Sequence, residues 1–222
     1  MTTHVISVRN PVRDILRKFR RREDGAVAVE FVLIAPVLIG LYVGLFQISM
    51  LIMADRSVSH SASVMGDLAT QVTTLDQAGV EDVLQAAVEV LDIGNPAVWK
   101  NGDVKMQLVS LKINETTDKP EWVGRATVGS GFDDPAKWKI DPRLLSATSG
   151  AMVARVEYNF GLLSHGTDTT VDENNFFGGY VTLKEDFILK PRLSIDVPFT
   201  DAVGVAGAEF TCTISDTGKV SC

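Results

Sequence analysis

Between residues 31 and 53 the chain carries no charged side chain and has no sustained polar face. As a helix this run is about 34 Å long at roughly 1.5 Å per residue, enough to cross a hydrocarbon core of about 30 Å. The pattern predicts a transmembrane helix over residues 26–53. A cleaved secretory signal would have a shorter apolar region, of about 7–15 residues, and small residues at a cleavage site just beyond it. Past Met53 the apolar positions thin to a stripe, Val58, Ala62, Met65, Ala69 and Val72, so the helix continues as a juxtamembrane helix with one buried face. Thr73 and Thr74 interrupt it. Thr74 with Gln77 reads as a capping box. It opens a second helix with Val80, Val83, Leu84, Ala87, Val88 and Leu91 on one side, and Gly94 and Pro96 end it.

Period-two patterns take over from there. Residues 104–113 alternate as Val104/Met106/Leu108, then change phase to Val109/Leu111/Ile113, which predicts a strand with a bulge. Residues 122–128 are its partner across a polar turn at 114–119. Residues 152–160 form the clearest strand, with Met152, Ala154, Val156, Tyr158 and Phe160 on one side. Another runs over 180–189 and stops before Pro191. The segment 211–221 reads as a hairpin turning around Ser215–Gly218. The expected fold class is α+β, helices first and then an antiparallel β-sheet.

Charge sets the topology. Residues 1–25 carry seven Arg and Lys against three Asp and Glu, and Arg9, Arg13, Arg17, Lys18, Arg20, Arg21 and Arg22 all precede the span. Only Arg56 closely follows it. The positive-inside rule predicts a cytoplasmic N-terminus and an extracytoplasmic domain over 54–222. That domain carries 14 basic against 24 acidic side chains, which excludes nucleic acid as an expected partner. Cys212 and Cys222 both fall in it, and an even count in an oxidising compartment predicts a disulfide between them. In the leader, Asn10 and Pro11 start a helix with Val12, Ile15, Leu16 and Phe19 on one side and basic residues between. Such a helix suits the anionic lipid of an inner leaflet, although a plain topogenic charge cluster explains the same residues.

The border of the span reads Arg20-Arg21-Arg22-Glu23-Asp24-Gly25-Ala26-Val27-Ala28-Val29-Glu30-Phe31. A carboxylate within an apolar helix costs up to about 2.5–3.5 kcal/mol at mid-bilayer and less near the headgroups, so Glu30 is a candidate functional residue. The basic leader, Gly25 and the Glu30-Phe31 pair resemble the class IV prepilin processing site of the Tad (tight adherence) pilus system. Length and layout resemble its TadE-like pseudopilins. The strand around Val156-Glu157-Tyr158, and Thr182-Leu183 leading to Pro191-Arg192, resemble that family's last strands. Glu23 and Asp24 directly before Gly25, and the cysteine pair, depart from its pattern. The resemblance implies a bacterial inner-membrane protein with a periplasmic domain. It further implies cleavage between Gly25 and Ala26 by a membrane aspartyl prepilin peptidase, and pairing of Glu30 with the new amine of a neighbouring subunit. The partners implied are that peptidase, other pilus subunits and the assembly machinery. Gly40 and Gly44 add a GxxxG spacing suited to helix packing, though glycines are common in spans.

Chemistry is sparse. His4, His60 and His165 are far apart in sequence, and no HExxH, CxxC or GxSxG occurs. The glycines from Gly124 to Gly131 lack the Gly-Lys-Ser/Thr ending of a phosphate loop, and the acids Asp168, Asp172 and Glu173 miss the EF-hand spacing. No cofactor, metal or catalytic residue is expected. The alternatives to a pilus role are an uncleaved anchored binding or scaffold protein and, behind it, an anchored hydrolase.

Overall fold

The computed structural model describes residues 24–91, 102–114, 119–132, 150–161 and 180–222. The leader helix over residues 10–19, the Gly94/Pro96 helix stop, the turn between Asn114 and Lys119 and the acidic loop at 168–174 lie outside them. The chain divides into two compact units, with the boundary between Ser49 and Met50.

Helix α1 spans Asp24–Ala69, 46 residues with Pro36 inside. Proline removes one backbone donor there, a loss a long apolar helix tolerates when its neighbours compensate. In the first unit the apolar side chains of α1 face outward. Phe31 is 67% exposed, and Val27, Leu33, Val37 and Leu41 are similarly bare. The helix is long and apolar enough to cross a membrane, and none of its most apolar stretch is buried within the protein.

The second unit is an α+β domain. Val58, Ala62, Met65 and Ala69 of α1 are fully buried, as their spacing predicts, and Leu51 and Ala54 pack against the same core. Val72 is not part of this stripe. The helix ends at Ala69, so Val72 lies in the following turn and is exposed. Helix α2 spans Gln77–Leu91 and buries Val80, Val83, Leu84, Ala87, Val88 and Leu91, the six positions expected. Its cap differs from the expected Thr74/Gln77 box. The Asp76 carboxylate accepts from the Gly79 amide at 2.8 Å, and Gln77 is the first helical residue. A carboxylate satisfies an orphan first-turn donor and complements the helix dipole, so Asp76 outcompetes the threonine two residues earlier.

Six strands follow: β1 Val104–Asn114, β2 Lys119–Val128, β3 Ala151–Gly161, β4 Tyr180–Leu189, β5 Glu209–Ile214 and β6 Val220–Ser221. They form one sheet in the order β4-β3-β1-β2-β5-β6. The sheet is mixed, which corrects the expectation of a wholly antiparallel one, because β5 runs parallel to β2. The connection from β4 explains this. β4 finishes at the end of the sheet where β2 begins, and the connection crosses along that end, placing Phe199, fully buried, over Gly124 of β2, so β5 sets out in the direction of β2. The Phe199 amide donates to the Val123 carbonyl and the Arg125 amide to the Ala208 carbonyl, at 3.2 Å each. A parallel pair needs such a crossover, whereas a hairpin cannot make one.

The bulge and the phase change of β1 have separate causes. The β1–β2 register slips between Ser110 and Leu111, and the extra residue, Val123, is on β2 rather than β1. The phase change marks apolar cover on both faces of β1. Met106 and Leu108 join the main core under the helices, while Val109 and Leu111 pack with Ala151 and Val153 on the opposite face. That second face also carries the bidentate pair of Arg155 with Asp186 (2.5 and 2.8 Å) and the Glu157–Lys184 pair at 2.9 Å.

Candidate functional site at the start of the first helix

Gly25 and Ala26 lie in the first turn of α1, within the helix that begins at Asp24. The glycine is therefore helical, not extended or left-handed. The first four amides of a helix have no intrahelical acceptor, so the bond between Gly25 and Ala26 sits where unwinding breaks fewest hydrogen bonds. Glu30 follows, five residues after Gly25, with its side chain exposed, and no ion pair within the chain involves it among the described residues. Phe31 beside it is bare as well. An unpaired carboxylate on an apolar surface is the arrangement that gains most from a cation supplied by another molecule.

Ten residues on, a methyl group added at Gly40 or at Gly44 would meet nothing within 4 Å. The two share a helix face, and the shallow groove they leave lets a second backbone come close. Ser49 satisfies its hydroxyl within the helix, donating to the Leu45 carbonyl at 2.9 Å.

Residues 25–64 match the family model described as TadE-like protein. This segment is similar to TadE-like proteins. The match opens on Gly25 and takes in Glu30, Phe31, Gly40, Gly44 and the first buried apolar positions of the domain, Val58 and Ala62. It is the family that the border motif resembles. The strand resemblance around Val156–Tyr158 and Thr182–Arg192 falls beyond the TadE-like segment. No curated protein and no solved structure matches the chain.

At the other end of the domain, Cys212 and Cys222 form a disulfide. The hairpin turns at Gly218, which has φ +77°, and Ser215 closes it by donating to the Lys219 carbonyl at 2.8 Å. Helix α2 then seals the outer side of β6 with three polar side chains one turn apart. Gln85 accepts from the Val220 amide (2.8 Å) and donates to the Gly218 carbonyl (3.2 Å). Glu81 accepts from the Cys222 amide (2.9 Å), and Gln77 donates to the Cys222 carbonyl (2.8 Å). The ladder at positions i, i+4 and i+8 imitates a neighbouring strand. Its sequence signal was the polar face of α2, which shows only that those positions are not buried apolar ones.

Two further residues organise the domain without a sequence cue. Gly66 lets α1 approach the sheet, since a methyl there would press on Leu189 and Ala154. Arg192 pairs with Asp67 and donates its amide to the Thr70 carbonyl, tying the end of α1 to the β4–β5 connection. Burial raises the carboxyl of Asp103 above its ordinary value. Burial first, and the charge of Asp103 second, raise the hydroxyl of Tyr158. Of the three histidines, His60 is exposed on α1, and His4 and His165 lie outside the described residues. Among the described residues no group of three or more His, Cys, Asp or Glu is placed to hold a metal.

Proposed function

We propose that this chain is a minor pilin or pseudopilin of a Tad-type pilus, working by subunit contacts and not by catalysis. The observation that carries the reading is the exposed Glu30, without an ion pair among the described residues, on an apolar helix whose match to the TadE-like family begins on Gly25. In this reading α1 is anchored in a bacterial inner membrane with residues 1–25 cytoplasmic and 54–222 periplasmic. A prepilin peptidase cuts after Gly25, leaving Ala26 as a free amine. Glu30 of one subunit then offsets that positive charge on a neighbour. In lipid the attraction is steep in distance, so it fixes the axial register of packed helices, and the bare faces at Gly40 and Gly44 permit the approach.

Terminal sequencing of the protein from its native membrane tests this. The mature chain should begin at Ala26, and Gly25→Leu should accumulate the uncut form. A start upstream of Gly25, in cells whose major pilin is fully processed, would overturn the pseudopilin mechanism and leave an uncleaved anchored scaffold.

A further inference from the structure

Solvent-facing turns are ordinarily made of Gly, Pro, Asn, Asp and Ser. The turn after Asp201 instead reads Ala202-Val203-Gly204-Val205-Ala206, with Val203 85% and Val205 60% exposed. It is not a loose excursion. The Asp201 carboxylate accepts from the amides of Val203 and Val205 at 3.0 and 2.8 Å. The Gly204 amide donates to the Asp201 carbonyl and the Asp201 amide to the Val205 carbonyl, while Gly207 and Ala208 both donate to the carbonyl of buried Phe199. Gly204 and Gly207 supply the positive φ angles the path needs. Two apolar side chains are thus held outward on a stiff mount, and little ordering cost remains for a partner to meet.

The turn borders an open depression of about 330 Å³, lined by Asp201 and Ala202 together with Asp76, Gln77, Ala78 and Glu81 of the α2 start. Three of these six are carboxylates. We propose that the valine turn and this acidic shelf are a docking surface for a protein partner that presents apolar residues beside Lys or Arg. The apolar tip supplies desolvation, and the carboxylates select the charge that lies next to it. The same carboxylates disfavour the other occupants. Anionic headgroups would be repelled. A symmetric pairing of two copies would set the three acids of one against those of the other. The inference does not rest on the pilus reading.

A photo-activated benzophenone amino acid at position 203 of the full chain, in its native membrane, tests it once the crosslinked peptides are mapped. The expected products are peptides of another protein with Lys or Arg within a few residues of the crosslink. Their yield should fall about tenfold or more with Val205→Ser, the scale of losing a central apolar contact. Asp76→Asn combined with Asp201→Asn keeps the amide-facing oxygens and removes two charges, so it should lower the yield severalfold and flatten its salt dependence. A thermal unfolding transition matching that of the parent protein confirms that each variant is folded. Crosslinks to lipid, to the same turn of a second copy or to peptides without basic residues would overturn the proposal. So would the absence of any crosslinked peptide, or a full yield from the Asn pair.

Discussion

Gly124 and Phe199 stand 75 positions apart and meet face to face, because the β4–β5 connection carries the phenyl ring onto the sheet. A methyl at Gly124 would fall inside the van der Waals envelope of Phe199 Cβ, Cγ and Cδ1. Gly124→Ala should therefore destabilise the domain by about 1–3 kcal/mol, the usual cost of overpacking a fixed core, as read by thermal unfolding. Position 124 carried no signal of this in sequence, since a glycine near other glycines gives no sign of what lies over it. Asp103 makes the pH-dependent case. Its carboxyl is raised in the folded state, so the folded protein binds that proton more tightly than the unfolded chain. The associated stability is fully present below the ordinary value of 3.8 and is lost as pH rises through the raised one. Asp103→Asn should then melt above the parent at neutral pH, and the gap should close as the pH falls below about 4. An unchanged gap across that range would remove desolvation as its cause.

The helices were the most legible elements. Val58–Ala69 and Val80–Leu91 bury the faces their spacing gives, because a 3.6-residue period translates directly into one side of a cylinder. Strand positions were legible too, but not the partner of β5, since a parallel neighbour leaves no mark on either strand's own alternation. The bulge illustrates the same limit: the disturbance was visible in β1, and the extra residue sits in β2. The terminal hairpin was readable from its turn and its two cysteines, and its seal by Gln77, Glu81 and Gln85 was not. Replacing Cys212 and Cys222 by Ser should cost about 2–3 kcal/mol on the chain-entropy estimate for a loop of ten residues. Amide exchange should show the loss first at Val220 and Cys222, whose N–H groups depend on α2 side chains for their acceptors. Equal acceleration across β1 and β3 would instead mean that the hairpin is integral to the global unfolding step.

For the whole molecule, the candidate site was legible because it is local. Gly25, Glu30 and Phe31 lie within two turns of one helix, and their chemistry is set by residue type against an apolar background. The valine turn escaped notice for the opposite reason: a short apolar run in sequence is read as buried until the fold shows it bare. The two units also separate two kinds of defect. Glu30→Ala makes the span more apolar, so insertion and topology should be unchanged, while crosslinking between the first helices of neighbouring subunits should fall sharply. Wild-type crosslinking in that variant would reduce Glu30 to a side chain reaching for the headgroups.

The parallel pairing of β5 with β2 has a kinetic consequence. β2 pairs early with β1, its neighbour in sequence, but its other edge waits for residues 209–214, which come after β3, β4 and the long connection. Closing so long a stretch is entropically slow, and until it happens the β2 edge and the α2 ladder are both vacant. On the topology proposed above, a chain emerging across the membrane passes through a stage with an open strand edge, when pairing with a neighbour competes with pairing with itself. Oxidation of Cys212 and Cys222 joins β5 to β6 beforehand, so the two strands dock as one hairpin and both vacancies are filled in a single step. Export in the absence of oxidant should accordingly lengthen the interval of protease sensitivity even where the final fold is reached.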